Sequence, residues 1–254
     1  MTLLEDYYNK FNEDKRLNSR HGTVEFVVSM KYIHDYIKPG DRIADIGAGT
    51  GKYSIALYNE GYDVTAVELV QHNLGVMKQK CPGLNAFKGN ALKLKKLADD
   101  SFDATIFFGP LYHLLTHEEK LTALKEAKRI TKKGGVIFAA YVMNEYSIIT
   151  YAFKEQHILE CEEQGRFDDS YRTIPQEGDL YDYVRIEDID RLNKEAGLTR
   201  VKILSPDGPA DYMRPYLNKL SEAEFERFIR YQLSVCERSD LIGAGAHVVD
   251  ILRK

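Results

Sequence analysis

Three glycines and a flanking aspartate lie close together at one point of this sequence, in the segment DIGAGTG at residues 45–51. A short apolar run at 42–46 predicts a strand before the glycines, and a helical pattern follows them. Glycines permit a sharp turn and let a ligand approach the backbone closely. Free amides at the start of the following helix can hold a polar or anionic group. This arrangement predicts a nucleotide-cofactor site at the carboxyl end of a parallel strand.

Two common phosphate-binding motifs do not fit this turn. The dinucleotide fingerprint GxGxxG needs a glycine where Lys52 stands. The phosphate loop GxxxxGK[ST] needs glycine and Ser or Thr where Ile46 and Tyr53 stand. A second acid, Glu68, ends the next predicted strand, and its two oxygens can accept hydrogen bonds from vicinal ribose hydroxyls. We therefore expect a nucleoside cofactor that lacks phosphates.

The elements that would position this turn alternate along the middle of the chain. Thr116 and Glu119 have the spacing of a helix-initiating capping box, and Gly134-Gly135 are expected to end that helix. The alternation predicts an α/β fold, with a parallel sheet, right-handed crossovers and helices on both faces. Strands are predicted at 42–46, 63–68, 85–88, 103–108 and 136–142, and helices at 50–59, 70–80 and from Thr116.

Three segments fall outside that alternation: residues 1–38, with a helix expected at 23–37, residues 144–183 and residues 206–240. A helix at 186–196 and strands at 199–204 and about 246–252 complete the predicted elements. The sequence has no internal repeat and no linker rich in Pro, Gly or Ser. We therefore expect one domain over 1–254, with a cofactor-binding core at 39–142 and the three outer segments as lids.

Composition limits the classes of partner and site. The net charge of −4 disfavours a nucleic-acid partner, which usually requires a basic surplus. The three cysteines are widely spaced without a CxxC pair, so we expect neither a disulfide framework nor a metal site. The sequence shows neither a signal pattern nor a stretch apolar enough to cross a bilayer, so we expect a cytoplasmic protein without membrane contact.

Four segments in order resemble the motifs of class I S-adenosylmethionine-dependent methyltransferases: IADIGAGTGKYS, VTAVELV, KGNALKL and FDATIFFGPLYHL. The GPLYHL part is similar to that of a group of bacterial small-molecule methyltransferases. The resemblance covers roughly residues 40–142. It implies a Rossmann-like doubly wound sheet of seven strands, with the last strand antiparallel to the rest. It also implies S-adenosylmethionine as cofactor and S-adenosylhomocysteine as product.

The resemblance further implies roles for individual residues. Asp45 would help to hold the cofactor's amino group, and Glu68 would bind the ribose hydroxyls. Family members often have Asp where this chain has Asn90, whose carbonyl can still accept a hydrogen bond from the adenine amino group. The remaining implied cofactor contacts are Gly47, Ala48, Gly49 and Gly51 along the turn, Leu69 and Ala91 at adenine, and Phe108 after strand four.

The methyl acceptor is expected beyond strand four, where Tyr112 and His113 could position it or take its proton. Both side chains could instead pack against the loop or cap the next helix. Tyr7, Tyr8 and Arg20 are further candidates for acceptor binding, although Arg20 could equally form a surface ion pair. The aromatic residues of 144–183 could line the acceptor pocket or pack the segment onto the domain.

The reaction expected from the resemblance is in-line displacement, in which an acceptor nucleophile attacks the methyl carbon of the sulfonium. The protein would mainly supply proximity, alignment and a dry cavity. We favour a small-molecule acceptor and a monomer or homodimer. The alternatives are an RNA or protein methyltransferase, which predicts a basic face beside the cleft, and a non-catalytic regulator that binds the cofactor.

Overall fold

The computed structural model describes Leu4, Tyr7, Tyr8 and residues 19–254 of the chain. Residues 1–3, 5, 6 and 9–18 of the expected N-terminal lid lie outside the described residues. The strands are β1 (Arg42–Ile46), β2 (Asp63–Glu68), β3 (Asn85–Lys88), β4 (Phe102–Phe107), β5 (Thr131–Val142), β6 (Thr199–Leu204) and β7 (His247–Arg253). The longer helices are α1 (Arg20–His34), α2 (Lys52–Asn59), α3 (Gln71–Lys80), α4 (His117–Ile130), α5 (Ile186–Ala196) and α6 (Glu222–Val235).

Shorter helical segments occupy the loops and the outer segments. They include a 3₁₀ turn directly after β4 and a π-helical stretch in the 144–183 segment. The short segments are Pro110–His113, Asn144–Ser147, Ile148–Lys154, Ile158–Glu163, Arg214–Leu217 and Ile242–Ala244. Within the described part of the chain, no helix is long and apolar enough to cross a membrane.

The seven described strands form one sheet in the order β3-β2-β1-β4-β5-β7-β6. The first five strands pair in parallel, and β7 runs antiparallel to both β5 and β6. The chain order reverses direction between β1 and β4, so the loops after these strands open a crevice at their carboxyl ends. The predicted doubly wound sheet with an antiparallel last strand is confirmed.

The central strands are apolar because helices cover both faces of the sheet. On one face Leu57 of α2 and Met77 of α3 pack in the same buried cluster as Ile106 of β4. On the other face Leu124 of α4 and Leu192 of α5 share a second buried cluster with the remaining strand residues. These two layers fix the strand ends from which the crevice is built.

The predicted stop of α4 at Gly134-Gly135 is wrong. The helix ends at Ile130, and the Thr131 hydroxyl donates to the Ala127 carbonyl oxygen at 2.7 Å. Thr131 already pairs with Phe102 of β4, after which the register shifts before the regular ladder begins. The glycines therefore lie within an irregular first part of β5, and the strand is longer than the periodicity indicated.

The first described helix also differs from its prediction. It begins at Arg20 rather than at residue 23, because the Ser19 hydroxyl accepts a hydrogen bond from the Gly22 amide and caps the helix. It ends at His34 rather than at residue 37. By contrast, the Thr116–Glu119 capping box of α4 is present as predicted.

Candidate functional site

A cleft lies at the carboxyl ends of β1, β2 and β4, where the sheet topology places it. Its empty space, including the part open to solvent, is about 1130 Å³. The loops after β1 and β2 form one side of the cleft, and the 3₁₀ turn after β4 forms its far end. The predicted site residues among its lining are Asp45, Gly47, Ala48, Gly49, Glu68, Leu69, Asn90, Ala91, Phe108, Tyr112, His113 and Tyr8.

Two glycines of the turn have backbone conformations that exclude other residues. Gly47 has φ 78°, and a Cβ there would lie 2.6 Å from the Pro110 side chain. Gly51, which caps α2, has φ 91°, and a Cβ there would lie 2.6 Å from the Met77 side chain. The Gly47 amide donates to the Val67 carbonyl oxygen at 2.8 Å. The turn is therefore closely packed against the loop after β4, the end of β2 and helix α3, and Gly51 lies behind the cleft wall rather than on it.

Asp45 is a buried carboxyl group at the floor of the cleft. Its side chain is almost inaccessible, and Oδ2 accepts a hydrogen bond from the Ser54 hydroxyl at 2.5 Å. Burial raises the pKa of Asp45 to about 7, with the nearby Glu68 carboxylate adding to the rise and Ser54 opposing it. A cationic group placed beside Asp45 would favour the ionised form. The site is therefore suited to a ligand amine.

Glu68 joins the glycine turn to the loop after β2. Its Oε2 accepts from the Gly49 amide at 2.8 Å, and its Oε1 accepts from the Val70 amide at 2.7 Å. The residue is 5% exposed. A carboxylate oxygen can accept more than one hydrogen bond, so the group suits ligand hydroxyls as well as backbone amides. The two amides hold the planar fork in one orientation.

The loop after β3 lines the neighbouring part of the cleft through Asn90 and Ala91, with Leu69 on the adjacent loop. Asn90 Oδ1 accepts a hydrogen bond from the Leu92 amide at 2.8 Å, so this carbonyl also orders its own loop. Asn73, a buried polar residue of α3, lines the same cleft and was not identified from the sequence. A lone Asn in a helix gives no signal that it faces a ligand.

The wall near the end of β4 is aromatic. The Phe108 ring lies edge-on to the Tyr53 ring, with centroids 5.0 Å apart. Lys52 also lines the cleft, and its Nζ lies 4.9 Å from the centroid of the Phe26 ring. Glu25 of α1 completes this side. Tyr53 and Glu25 were not predicted as site residues, because their place in the cleft depends on how α1 and α2 pack together.

His113 lies at the far end of the cleft with both ring nitrogens engaged. Nδ1 is 2.8 Å from the Leu180 carbonyl oxygen, and Nε2 is 2.9 Å from the Tyr8 hydroxyl. Because a carbonyl only accepts, Nδ1 carries the proton and Nε2 accepts from Tyr8. Burial lowers the pKa of His113 to about 4, partly opposed by the bond to Leu180. The His113 imidazole is therefore uncharged near neutral pH, and its Nε2 is a hydrogen-bond acceptor.

Further rings surround this histidine. The Tyr181 ring centroid lies 5.0 Å from that of His113 and 6.0 Å from that of Tyr112. Burial raises the pKa of the Tyr181 phenol well above its usual range, so it stays protonated. Tyr7 contacts Tyr181 and Tyr8 through ring edges and is not itself among the cleft-lining residues. The aromatic 144–183 segment thus packs against the far end of the cleft through Tyr181, which does not itself line the cleft.

Arg20 is not among the residues that line the cleft, and its guanidinium is engaged elsewhere. It donates to the carbonyl oxygens of Leu217 and Leu220 at 3.2 and 2.8 Å, and it pairs with Glu222 at 2.6 Å. It also lies over the Phe225 ring, 4.7 Å from the centroid. Arg20 therefore fastens the start of α1 to the 206–240 segment.

Comparisons with known proteins agree with this geometry. A family model described as a methyltransferase domain matches residues 44–139. Demethylmenaquinone methyltransferase from Renibacterium salmoninarum is 40% identical over 103 residues, which are 40% of this chain and 41% of that protein. Human probable tRNA methyltransferase 9B is 35% identical over 103 residues, 39% of this chain and 20% of that protein. The chain thus spans about two fifths of the first relative's length and one fifth of the second's.

A similar fold occurs in a Thermotoga maritima protein described as an S-adenosylmethionine-dependent methyltransferase, possible histamine N-methyltransferase. The two chains superpose with a TM-score of 0.60 at 22% identity, and the match covers 99% of this chain and 98% of that one. At this identity the likeness shows the fold, which extends through the outer segments as well as the core.

The buried Asp45 carboxyl predicts a pH-dependent effect on stability. Its pKa in the fold is about 7, above the usual aspartate value of 3.8, so its contribution to the free energy of unfolding is fully present below about pH 4 and is lost as the pH rises through 7. We expect Asp45→Asn, which keeps an acceptor for Ser54, to gain stability relative to the native chain between pH 5 and pH 8. The gain should be about 3 kcal/mol, because the folded and unfolded chains differ by one proton over about two pH units, from 5 to 7, and each unit corresponds to about 1.4 kcal/mol.

Urea unfolding of the two proteins at both pH values measures this difference. Asp63→Asn, at an exposed carboxylate that starts β2, is the matched control and should show no such gain. If the stability difference between Asp45→Asn and the native chain is the same at pH 5 and pH 8, the Asp45 carboxyl is not the buried, raised-pKa group described above.

Proposed function

We propose that this chain, whose residues 44–139 are a methyltransferase domain, transfers a methyl group from S-adenosylmethionine to a small-molecule acceptor by in-line displacement. The proposal treats the whole chain as one functional domain. The observation that carries it is the pair of buried carboxyl groups, Asp45 and Glu68, on either side of a glycine turn in the main cleft.

The residues of the cleft fit S-adenosylmethionine. This cofactor has an amino group, two vicinal ribose hydroxyls and an adenine ring, and it has no phosphates. Asp45 is suited to the amino group and Glu68 to the two hydroxyls, since both offer oxygen acceptors in a buried setting. Leu69, Asn90 and Ala91 would hold adenine. When bound, the cofactor supplies an activated methyl group on a sulfonium.

The far end of the cleft would orient the acceptor. His113 accepts the Tyr8 hydroxyl proton in a hydrogen bond, which holds the Tyr8 ring and hydroxyl in one orientation on the cleft wall, where an acceptor would contact them. With a pKa of about 4, His113 is a weak base. The geometry therefore favours positioning over proton abstraction, which suits a reaction whose methyl group is already activated.

Enclosure supports a small acceptor. Tyr8 from the N-terminal segment and Tyr181 from the 144–183 segment meet at His113, so groups from three parts of the chain close the far end of the cleft. The net charge of −4 also disfavours a polyanionic acceptor. The demethylmenaquinone relative is named for a small molecule, whereas the human relative is named for tRNA.

Methyl transfer can be measured without knowing the acceptor. The purified chain is incubated with S-adenosylmethionine carrying a labelled methyl group and with a metabolite extract, a protein fraction or total RNA. We expect label in a low-molecular-weight product only. Label in the RNA or protein fraction would contradict the small-molecule proposal, and cofactor binding without transfer to any fraction would indicate a non-catalytic binding protein.

Glu68 provides a test of the cofactor site. Glu68→Ala removes two charge-assisted hydrogen bonds to the ribose, each worth about 1.5 kcal/mol or more. We expect the dissociation constant for S-adenosylmethionine, measured by calorimetry, to rise at least about tenfold. Asp63→Ala removes a carboxylate from the opposite end of the same strand and should leave the constant unchanged. Equal affinities for Glu68→Ala and the native chain would remove Glu68 from the ribose site.

Tyr8 provides a test of the acceptor end. Tyr8→Phe keeps the ring and removes the hydroxyl that bonds to His113. Once the acceptor is known, we expect kcat/KM for it to fall about tenfold, the equivalent of one hydrogen bond, with cofactor affinity unchanged. Tyr151→Phe, at a half-exposed ring of the 144–183 segment, is the control. A Tyr8→Phe enzyme as active as the Tyr151→Phe enzyme would place the acceptor elsewhere.

A further inference from the structure

Lys120 of α4 is a buried lysine close to the acceptor end of the cleft. The residue is 2% exposed, and a lysine buried to this extent almost always has a polar partner. Its Nζ donates to two oxygens, the Leu114 backbone carbonyl and a carboxylate oxygen of Asp182. Leu114 directly follows His113 and also lines the cleft. One ammonium group therefore joins the loop after β4 to the 144–183 segment.

Further hydrogen bonds connect the same two stretches of chain. The Asp182 amide donates to the Tyr112 carbonyl oxygen at 2.9 Å. The Leu180 carbonyl oxygen accepts the His113 Nδ1 proton at 2.8 Å. Residues 180–182 thus lie alongside residues 112–114, and the Lys120–Asp182 ion pair sits at one end of this contact. Tyr181, which stands between Leu180 and Asp182 in the chain, packs against the His113 ring.

The energetics of the pair indicate a geometric role. Burial raises the pKa of Asp182, and the adjacent ammonium of Lys120 opposes this rise. A buried ion pair adds little net stability over a well-packed apolar pair, because both charges lose their hydration. Removing one partner is costly, since the other charge is then left uncompensated. What the pair does supply is a fixed distance and direction between two segments.

We propose that Lys120 and Asp182 are positioning residues, which hold Leu180 against His113 so that this imidazole keeps its Nδ1 proton and presents Nε2 to Tyr8. The inference rests on the proposed function, because it concerns the acceptor end of the methyl-transfer site. Neither side chain touches the acceptor; both act through the Leu180 carbonyl and the loop that carries His113. Loss of the pair would free the ring to rotate and to exchange tautomers.

The tautomer of His113 reports on this arrangement directly. Two-dimensional NMR of ¹⁵N-histidine-labelled protein distinguishes a protonated Nδ1 from a protonated Nε2, and His113→Gln identifies the signals of this ring. In the native chain we expect His113 to be neutral with the proton on Nδ1. In Asp182→Asn we expect a mixture of tautomers, together with a fall of about tenfold or more in kcat, the equivalent of about 1.4 kcal/mol, and unchanged affinity for S-adenosylmethionine.

Two matched controls separate positioning from general damage. Asp179→Asn breaks an ion pair with Arg166 in the same segment without touching the 112–114 loop. Lys128→Met removes a lysine of the same helix that also donates to two backbone carbonyls. Both should retain the native His113 signals. If Asp182→Asn does not fold, the double variant Lys120→Met, Asp182→Asn removes both charges and avoids a buried unpaired ion.

The outcomes are decisive without any assay of methyl transfer. Native His113 signals in folded Asp182→Asn or in the folded double variant would overturn the positioning role. A changed tautomer in these variants, with native signals in both controls, would support it. Failure of the proposed function would appear differently, as absence of cofactor binding or methyl transfer in the native chain.

Discussion

The cleft depends on the hydrogen bonds that the Glu68 carboxylate accepts from two backbone amides. By accepting from the Gly49 and Val70 amides, it holds the loops after β1 and β2 in one arrangement at the edge of the sheet. The Val70 amide would otherwise be a buried donor, whose loss of a hydrogen bond is costly. The glycine turn can then approach a ligand closely, beside a carboxylate whose oxygens are of the type that accepts from hydroxyl groups. Structural support and proposed ligand recognition therefore come from the same side chain.

The two ends of the cleft are formed by different kinds of contact. At the cofactor end, the neighbouring parallel strands β1 and β2 bring the carboxyl groups of Asp45 and Glu68 together, and burial raises the pKa of Asp45. At the acceptor end, long-range contacts assemble Tyr8, His113 and Tyr181 from three parts of the chain. One arrangement at the first end is compatible with many acceptors, because the second end is built from segments outside the regular strand–helix alternation.

Local sequence patterns predict the first end well. The strands at 42–46, 63–68, 85–88 and 199–204 have the predicted bounds, because glycine, proline and other turn residues flank these short runs and leave little choice of where each strand begins or ends. The stop of α4 was misplaced, since Thr131 can end a helix and begin a strand without glycine. The contact between His113 and Leu180 spans 67 positions and leaves no periodic signal. The partners of Arg20 could not be predicted for a related reason, because they lie near residue 220.

The central claim is that a phosphate-free nucleoside cofactor binds between Asp45 and Glu68. Titration calorimetry of the native chain with S-adenosylhomocysteine tests it most directly, with NAD⁺ as a comparison ligand that carries a pyrophosphate. The account predicts one binding site for S-adenosylhomocysteine with a dissociation constant of about 100 μM or lower, corresponding to at least about 5.5 kcal/mol, and no detectable binding of NAD⁺. Binding of NAD⁺ with no heat from S-adenosylhomocysteine would contradict it.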